Sequence, residues 1–221
     1  HVQEVILEAG GHPISKMTTD VMTRIFYEKA NDKQLEFFPE KFSKGLVDTI
    51  DQYVRLLAEE DPLFLEGIDP KKMIKSSTAA LPMKQWMQDK EYKGRLTWTL
   101  CLYGTEGMAK QANLSLKEYW NQIIKACFLN EEDPVAHWKD VFRQINTLEN
   151  KINKLDIDKI HLVSNKTDLW IKLGDKRRFV GGSGRNIPSF EIFTSPDWRG
   201  VNGTIFFNFP LFRYGNIIKD I

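Results

Sequence analysis

The strongest constraint on this chain is a change of hydrophobic period near residue 155. Upstream, short apolar runs alternate with stretches whose apolar residues step by three or four. Downstream, apolar and polar residues alternate one by one. The upstream part closes on a long stripe of Val135, Trp138, Phe142, Ile145, Leu148 and Ile152, which predicts one buried face on a helix begun by Asp133-Pro134. Alternation of strands with helices predicts a layered α/β amino-terminal domain over residues 1–155. Residues 156–221 then read as the first, β-rich part of an incomplete second domain: IHLVS, a polar turn at Asn165 to Thr167, DLWIKL, then RRFV, EIFT and GTIFFNF.

Within the first part, Val2, Val5, Ile6 and Ala9 predict a helix ended by Gly10-Gly11, and His12 to Met17 a buried strand. Thr18, Thr19 and Asp20 offer caps to a helix turning Val21, Met22, Ile25 and Phe26 inward. Further helices are expected at Phe42 to Ile50, from Asp69-Pro70 to about Trp86, and from the capping box Ser115 to Glu118. Strands are expected at Tyr53 to Glu59 and at Leu96 to Tyr103.

Composition narrows the function. Lys and Arg total 31 against 30 Asp and Glu, and a net charge of +1 gives no charge-driven nucleic-acid surface. No apolar run reaches the roughly 20 residues that cross a bilayer. Cys101 and Cys127 are too few for a disulfide framework and read as buried, reduced thiols of a cytoplasmic protein.

His1, His12, His137 and His161 lie at no metal-ligand spacing, and His137 and His161 read as ordinary helix and strand residues. The loop Gly181 to Asn186 lacks both the lysine of a phosphate loop and a following helix, so it reads as a tight connection; nucleotide binding there is the weakest alternative. Ser183 has no identifiable base. The aromatic run Phe206 to Tyr214 reads as a strand on a core, through Ile205, Phe207 and Phe209. Glu191 resists a bland account: it sits between Phe190 and Ile192, bracketed by Pro188 and Pro196. If buried it needs a cation or several donors, and otherwise it is a strand-edge acid in water.

The segment NIPSFEIFTSP, Asn186 to Pro196, resembles the N-x-P-x-x-E-V-F-T-x-P signature of the thermophilic aminopeptidase family of metallopeptidases, the aminopeptidase T, aminopeptidase S and PepS type. Thr167-Asp168-Leu169 is similar to that family's G-T-D-L strand, with Lys166 in the place of glycine. AGGHP at 9–13, LSLKEYW at 114–120 and DPVAHW at 133–138 extend the likeness along the chain.

The resemblance implies a cytoplasmic, dimeric exopeptidase that removes N-terminal residues from peptides with two divalent cations, zinc, cobalt or manganese. Such ions acidify bound water and polarise the scissile carbonyl. It implies Glu191 as a metal ligand, no separate catalytic residue in this stretch, and further ligands beyond it. The chain is therefore expected to be an internal piece, inactive alone and unable to hold the ions stably. The alternative from another class is a non-catalytic module for dimerisation or for shaping a substrate chamber.

Overall fold

The computed structural model describes residues 1–209, 211–213 and 216–218. It opens with α1 (Val2–Glu8), closed by Gly10 in the left-handed region at φ 79°. Residues 11–19 follow without regular structure, and α2 (Asp20–Lys29) starts where Thr19 Oγ1 accepts the Met22 amide at 3.1 Å. Next come α3 (Asp32–Leu35), capped by an Asn31–Gln34 box, α4 (Glu40–Thr49) and the strand β1 (Gln52–Leu57). Asp69 caps α5 (Pro70–Ala79), α6 (Leu81–Tyr92) follows, and β2 (Thr97–Leu102) lies parallel to β1 with Gln52 opposite Thr97 and Leu57 opposite Leu102. This is an α/β fold.

After β2 come α7 (Glu106–Gln111), α8 (Leu116–Ala126) behind the Ser115–Glu118 capping box, and the nineteen-residue α9 (Pro134–Ile152) behind Asp133. The remainder is β-rich. Strands β3 (Lys159–Ser164) and β4 (Thr167–Lys172) form a hairpin with Ser164 opposite Thr167. A short ribbon of β5 (Val180–Gly181) and β6 (Ile192–Phe193) precedes β7 (Val201–Thr204), which adds antiparallel to β4. Strands β8 (Leu211–Arg213) and β9 (Asn216–Ile218) pair antiparallel.

Several expectations are corrected. His12 to Met17 is not a buried strand: the segment has no regular structure and joins no ladder, and Ile14 and Met17 are 65% and 83% exposed. A strand needs a neighbour for its backbone groups, and none of the described residues supplies one here. The apolar stripe of α2 also faces outward, because polar groups hold its opposite side. Arg24 Nη1 donates to the Phe64 carbonyl at 2.6 Å, Lys72 Nζ donates to the Tyr27 carbonyl at 2.7 Å, and the Asp20 carboxylate accepts the amides of Glu60 and Asp61. These fixed contacts, not periodicity, orient the helix.

The helix expected from Asp69 to Trp86 is two. Pro82 has no N–H for the Thr78 carbonyl, so the backbone turns at Ala80 and restarts. Ile205, Phe207 and Phe209 form no strand and are exposed, Phe209 at 85%; Pro210 and Tyr214 lie outside the described residues. The stripe on α9 is interrupted, since Trp138 and Ile145 are buried while Val135 and Leu148 are exposed. Cys101 is exposed and Cys127 half-buried; both are free thiols, but neither is the fully buried residue expected.

The core of the first half gathers Leu35, Val47, Ile68, Met73, Leu96, Met108 and Ala109, with α3 packed on α5, α4 on α6 and α7 on α8. One cation ties it together. Lys90, its side chain 15% exposed, reaches from α6 to the last turn of α4 and donates to the carbonyls of Val47 at 2.9 Å, Asp48 at 3.1 Å and Ile50 at 2.5 Å. It satisfies acceptors left free at the helix end and opposes the negative pole there. Lys90→Met should therefore lower unfolding free energy by about 2 kcal/mol in urea denaturation; a loss indistinguishable from that of an exposed Lys→Met change would contradict this role.

Candidate functional site

The candidate segment is built on α9. Trp138, 4% exposed, donates its indole N–H to the Cys127 carbonyl at 2.9 Å and packs on Phe128, Phe142 and Phe190 with ring centroids 5.1 to 5.5 Å apart. One turn further, Phe142 lies beneath Gly182 and Gly184. The next turn brings Ile145 beneath Gly181, and Glu149 Oε2 accepts the Gly181 amide at 3.0 Å. Asn153, past the end of the helix, brackets Phe179 with two 2.9 Å hydrogen bonds, one to its amide and one to its carbonyl. One face of the helix thus works as a rail for residues 179–190.

The rail explains the glycines. A Cβ at Gly181 would overlap the Ile145 side chain, and one at Gly182 would overlap Ser189, which is buried. Gly184 adopts φ +77° against the Phe142 ring. No helix opens behind this loop, so it has none of the helix N-terminus that a phosphate site would use.

At the tip of the loop, the Arg185 guanidinium pairs with Glu91 of α6 and lies 5.5 Å over the Trp98 ring. The Arg185 carbonyl accepts the Leu100 amide at 3.0 Å and the Thr99 hydroxyl at 2.7 Å. Asn186 bridges Leu100 in parallel fashion. Nothing in the local sequence announces this anchor, since its two ends lie 94 residues apart.

Glu191 opens the return strand. Its carbonyl accepts the Gly182 amide at 3.3 Å, and Val180 opposes Phe193 in the ribbon. Its side chain is exposed and makes no hydrogen bond or ion pair with the described residues, while Phe190 and Phe193 beside it are exposed as well. Among the described residues no group of three or more His, Cys, Asp or Glu side chains comes together. A divalent pair does not fit the residues present: they offer one carboxylate, and one carboxylate leaves nearly every coordination position to water.

Two of the histidines have aromatic partners of their own. His137 stacks on Phe128 at 3.8 Å. His161 stacks on Trp170 at 3.9 Å, with Nε2 2.7 Å from Asp168 Oδ1. Asp168, in the Thr167-Asp168-Leu169 strand, is thus joined to a histidine that sequence reading left without a partner. Ser183 is exposed and has no base.

Past the ribbon, Asp197 caps a single 3-10 turn, Trp198–Gly200, and accepts from Arg199 Nε at 2.8 Å and Nη2 at 2.7 Å. The Arg199 side chain, and then its backbone N–H, hold the Asp197 carboxyl down at about 2. Burial, and then the proximity of the Cys101 thiol, push the Cys127 thiol up, so Cys127 is a poor nucleophile.

The element order and this ribbon define an α/β protein that presents one potential oxygen ligand on a fixed support. The chain belongs to the thermophilic metalloprotease (M29) family, whose model matches residues 1–221. It is 27% identical over 218 residues to aminopeptidase AmpS of Bacillus subtilis (strain 168), across 91% of this chain and 53% of that one. It is 28% identical over 177 residues to aminopeptidase PepS of Streptococcus thermophilus, across 73% and 43%. Its fold is similar to the structure of wild-type AmpT from Thermus thermophilus, with a TM-score of 0.79 and 19% identity over 99% of this chain and 58% of that one. The chain spans about half the length of the curated relatives it matches. No helix among the described residues is long and apolar enough to cross a membrane.

Two outcomes are expected. Gly181→Ala should cost about 1–3 kcal/mol through overpacking against Ile145, and the cost should shrink when Ile145→Ala is added; additive losses in that double-mutant cycle would contradict the rail. The second concerns acid. The Asp197 carboxyl titrates lower in the folded chain than the ordinary Asp value of about 3.9, so its contribution to stability is complete above that value and is lost as pH falls toward 2. Asp197→Asn should therefore flatten the stability–pH curve between about pH 4 and 2, and an unchanged slope would refute the assignment.

Proposed function

We propose that the whole protein is a metal-dependent aminopeptidase of the cytoplasm that removes N-terminal residues from peptides, and that this chain contributes Glu191 as a ligand to a divalent cation. The observation that carries the reading is the state of that carboxylate. It stands in the family-like motif Asn186 to Pro196, on a ribbon fixed from below by α9, and it has no partner among the described residues. An acid held in place yet left unpaired is what a ligand needs before the ion arrives.

Zinc, cobalt and manganese all accept oxygen donors, and two ions are proposed in the whole protein. No group of three or more His, Cys, Asp or Glu side chains gathers among the described residues, so further ligands are proposed to come from the rest of the whole protein. Residues 1–155 serve in this reading as the α/β support, and residues 156–221 as the start of the metal-binding domain.

A second reading has one observation in its favour. The accessible surface is 17075 Å², whereas a compact monomer of this length exposes roughly 10,400 Å². Exposed apolar side chains contribute to it, among them Val21, Met22, Ile25 and Phe26 on α2. Such surface suits a module that packs against a second copy or shapes a substrate chamber, without catalysis of its own. Light scattering tests it, because a monomer at all concentrations speaks against self-association.

The catalytic proposal is tested by assaying the 221-residue chain on a leucine chromogenic substrate with added zinc, cobalt or manganese, beside the longer protein that contains it. The expected result is no turnover by the chain, turnover by the longer protein, and loss of that turnover in Glu191→Gln. Full activity of Glu191→Gln in the longer protein would remove the ligand role, and normal turnover by the chain alone would overturn the claim that its metal site is incomplete.

A further inference from the structure

We propose that Arg185 is a positioning residue: its ion pair with Glu91 latches the glycine loop onto the edge of β2, so that the ribbon carrying Glu191 is set by both halves of the chain. Its importance for metal binding rests on the reading of Glu191 as a ligand; the latch itself does not.

The geometry leads there in three steps. First, the loop from Gly182 to Glu191 is closed at its base by the Gly182 amide on the Glu191 carbonyl, next to the pairing of Gly181 with Ile192. Among the described residues, its base is held by the two-residue strands β5 and β6 and by α9. Strands this short do not fix an orientation alone. Second, the tip of the same loop is pinned at a distant point. Thr99 and Leu100 of β2 both donate to the Arg185 carbonyl, and Asn186 continues the parallel pairing at Leu100. The loop therefore acts as a one-residue third strand beside β1 and β2.

Third, the Arg185 side chain adds an ion pair to this pairing, beside the hydrogen bonds from Thr99 and Leu100 and the contact of the Cys127 thiol with the Ile187 carbonyl. A bridge of one residue is a weak ladder, whereas the guanidinium is half-buried, pairs with a half-buried Glu91 and covers the Trp98 ring. A charge-assisted pair at the margin of the interior is stronger than an exposed one, and removing either partner leaves the other poorly solvated. Glu91 lies in the last turn of α6, where Lys90 already anchors that helix to α4. The path is continuous: α4 to Lys90 and α6, Glu91 to Arg185, and Arg185 through five residues to Glu191.

The test is amide hydrogen exchange by NMR on the 221-residue chain without metal. Leu100 reports docking of the tip, because its amide is donated to the Arg185 carbonyl, and Gly182 reports closure of the base. In Arg185→Ala we expect exchange at Leu100 and Gly182 to rise about ten-fold, the scale of one lost charge-assisted hydrogen bond. Amides inside the β3–β4 hairpin should be unaffected.

Glu91→Gln should do the same from the other side, and it keeps the test available if Arg185→Ala does not fold. The double exchange Arg185→Glu with Glu91→Arg should restore protection, which a merely destabilising change would not do. Unchanged protection at Leu100 and Gly182 in both single variants overturns the latch, as does a loss shared equally by β3 and β4 or a failure of the exchanged pair to recover. No cation takes part in these measurements, so a Glu191 that proves not to bind metal leaves their result standing.

Discussion

The buried face of α9 is the constraint on which the second half of the chain depends. Recurring every three or four residues, Trp138 meets Phe190, Phe142 meets Gly182 and Gly184, Ile145 and Glu149 both meet Gly181, and Asn153 meets Phe179. The first three exclude water and set how near the loop can come. The last two supply the acceptors and donors that a backbone lying against a helix would otherwise lack. Side-chain size on α9 and the absence of side chains on the loop are therefore one fact seen from two sides. A helix with smaller residues there would tolerate alanines in the loop, but it would hold the ribbon less firmly.

The parallel pair β1–β2 is the matching constraint in the first half. Residues 51, 57, 97 and 103 bond across the pair through the Asp51 and Leu57 carbonyls, so in β2 the alternate residues, Leu100 among them, turn their backbone groups to the far edge. Leu100 finds the Arg185 carbonyl there. Val54 and Leu56 of β1 stay half-exposed on the other side. Parallel strands are normally covered on both faces and continued by neighbours. The large exposed surface and the outward stripe of α2 belong to the same condition: several elements have an apolar side that the described residues do not cover.

What could be read from the sequence divides by range. Caps were legible because they are local chemistry: Asp69, Ser115 with Glu118, and Asp133 each act within three residues of themselves. So were β1, β2 and the β3–β4 hairpin, whose alternation and turn residues agree. The inward face of α2 was not, because Arg24, Asp20 and Lys72 reach partners 40 or more residues away and override the stripe. His12 to Met17 and Ile205 to Phe209 have the composition of strands, but composition does not supply a ladder. At the candidate site the motif exposed Glu191, while Glu149 and Arg185, which fix its surroundings, carry no local signal at all. For Glu191 the residues left two readings open, a buried acid needing partners and a strand-edge acid in water; its exposure, with Phe190 and Phe193 exposed beside it, is the second.

Charge around the ribbon is arranged to leave one acid alone. Of the ionisable residues between 182 and 200, Arg185 pairs with Glu91, and Asp197 is neutralised by Arg199 beside it. Glu191 is the remaining one, and no cation among the described residues lies within ion-pair distance of it. Pairing it with a lysine or arginine would stabilise the ribbon slightly, since exposed pairs contribute little, but it would force any incoming ion to displace that partner. Without such a partner, an incoming ion would have only water to strip from it. In the proposed ligand role, support of the ribbon by α9 would lower the cost of ordering the backbone that carries Glu191, and the carboxylate's isolation would remove competition for its oxygens. Neither adds a second ligand, so the arrangement favours binding only where further donors come to the same point.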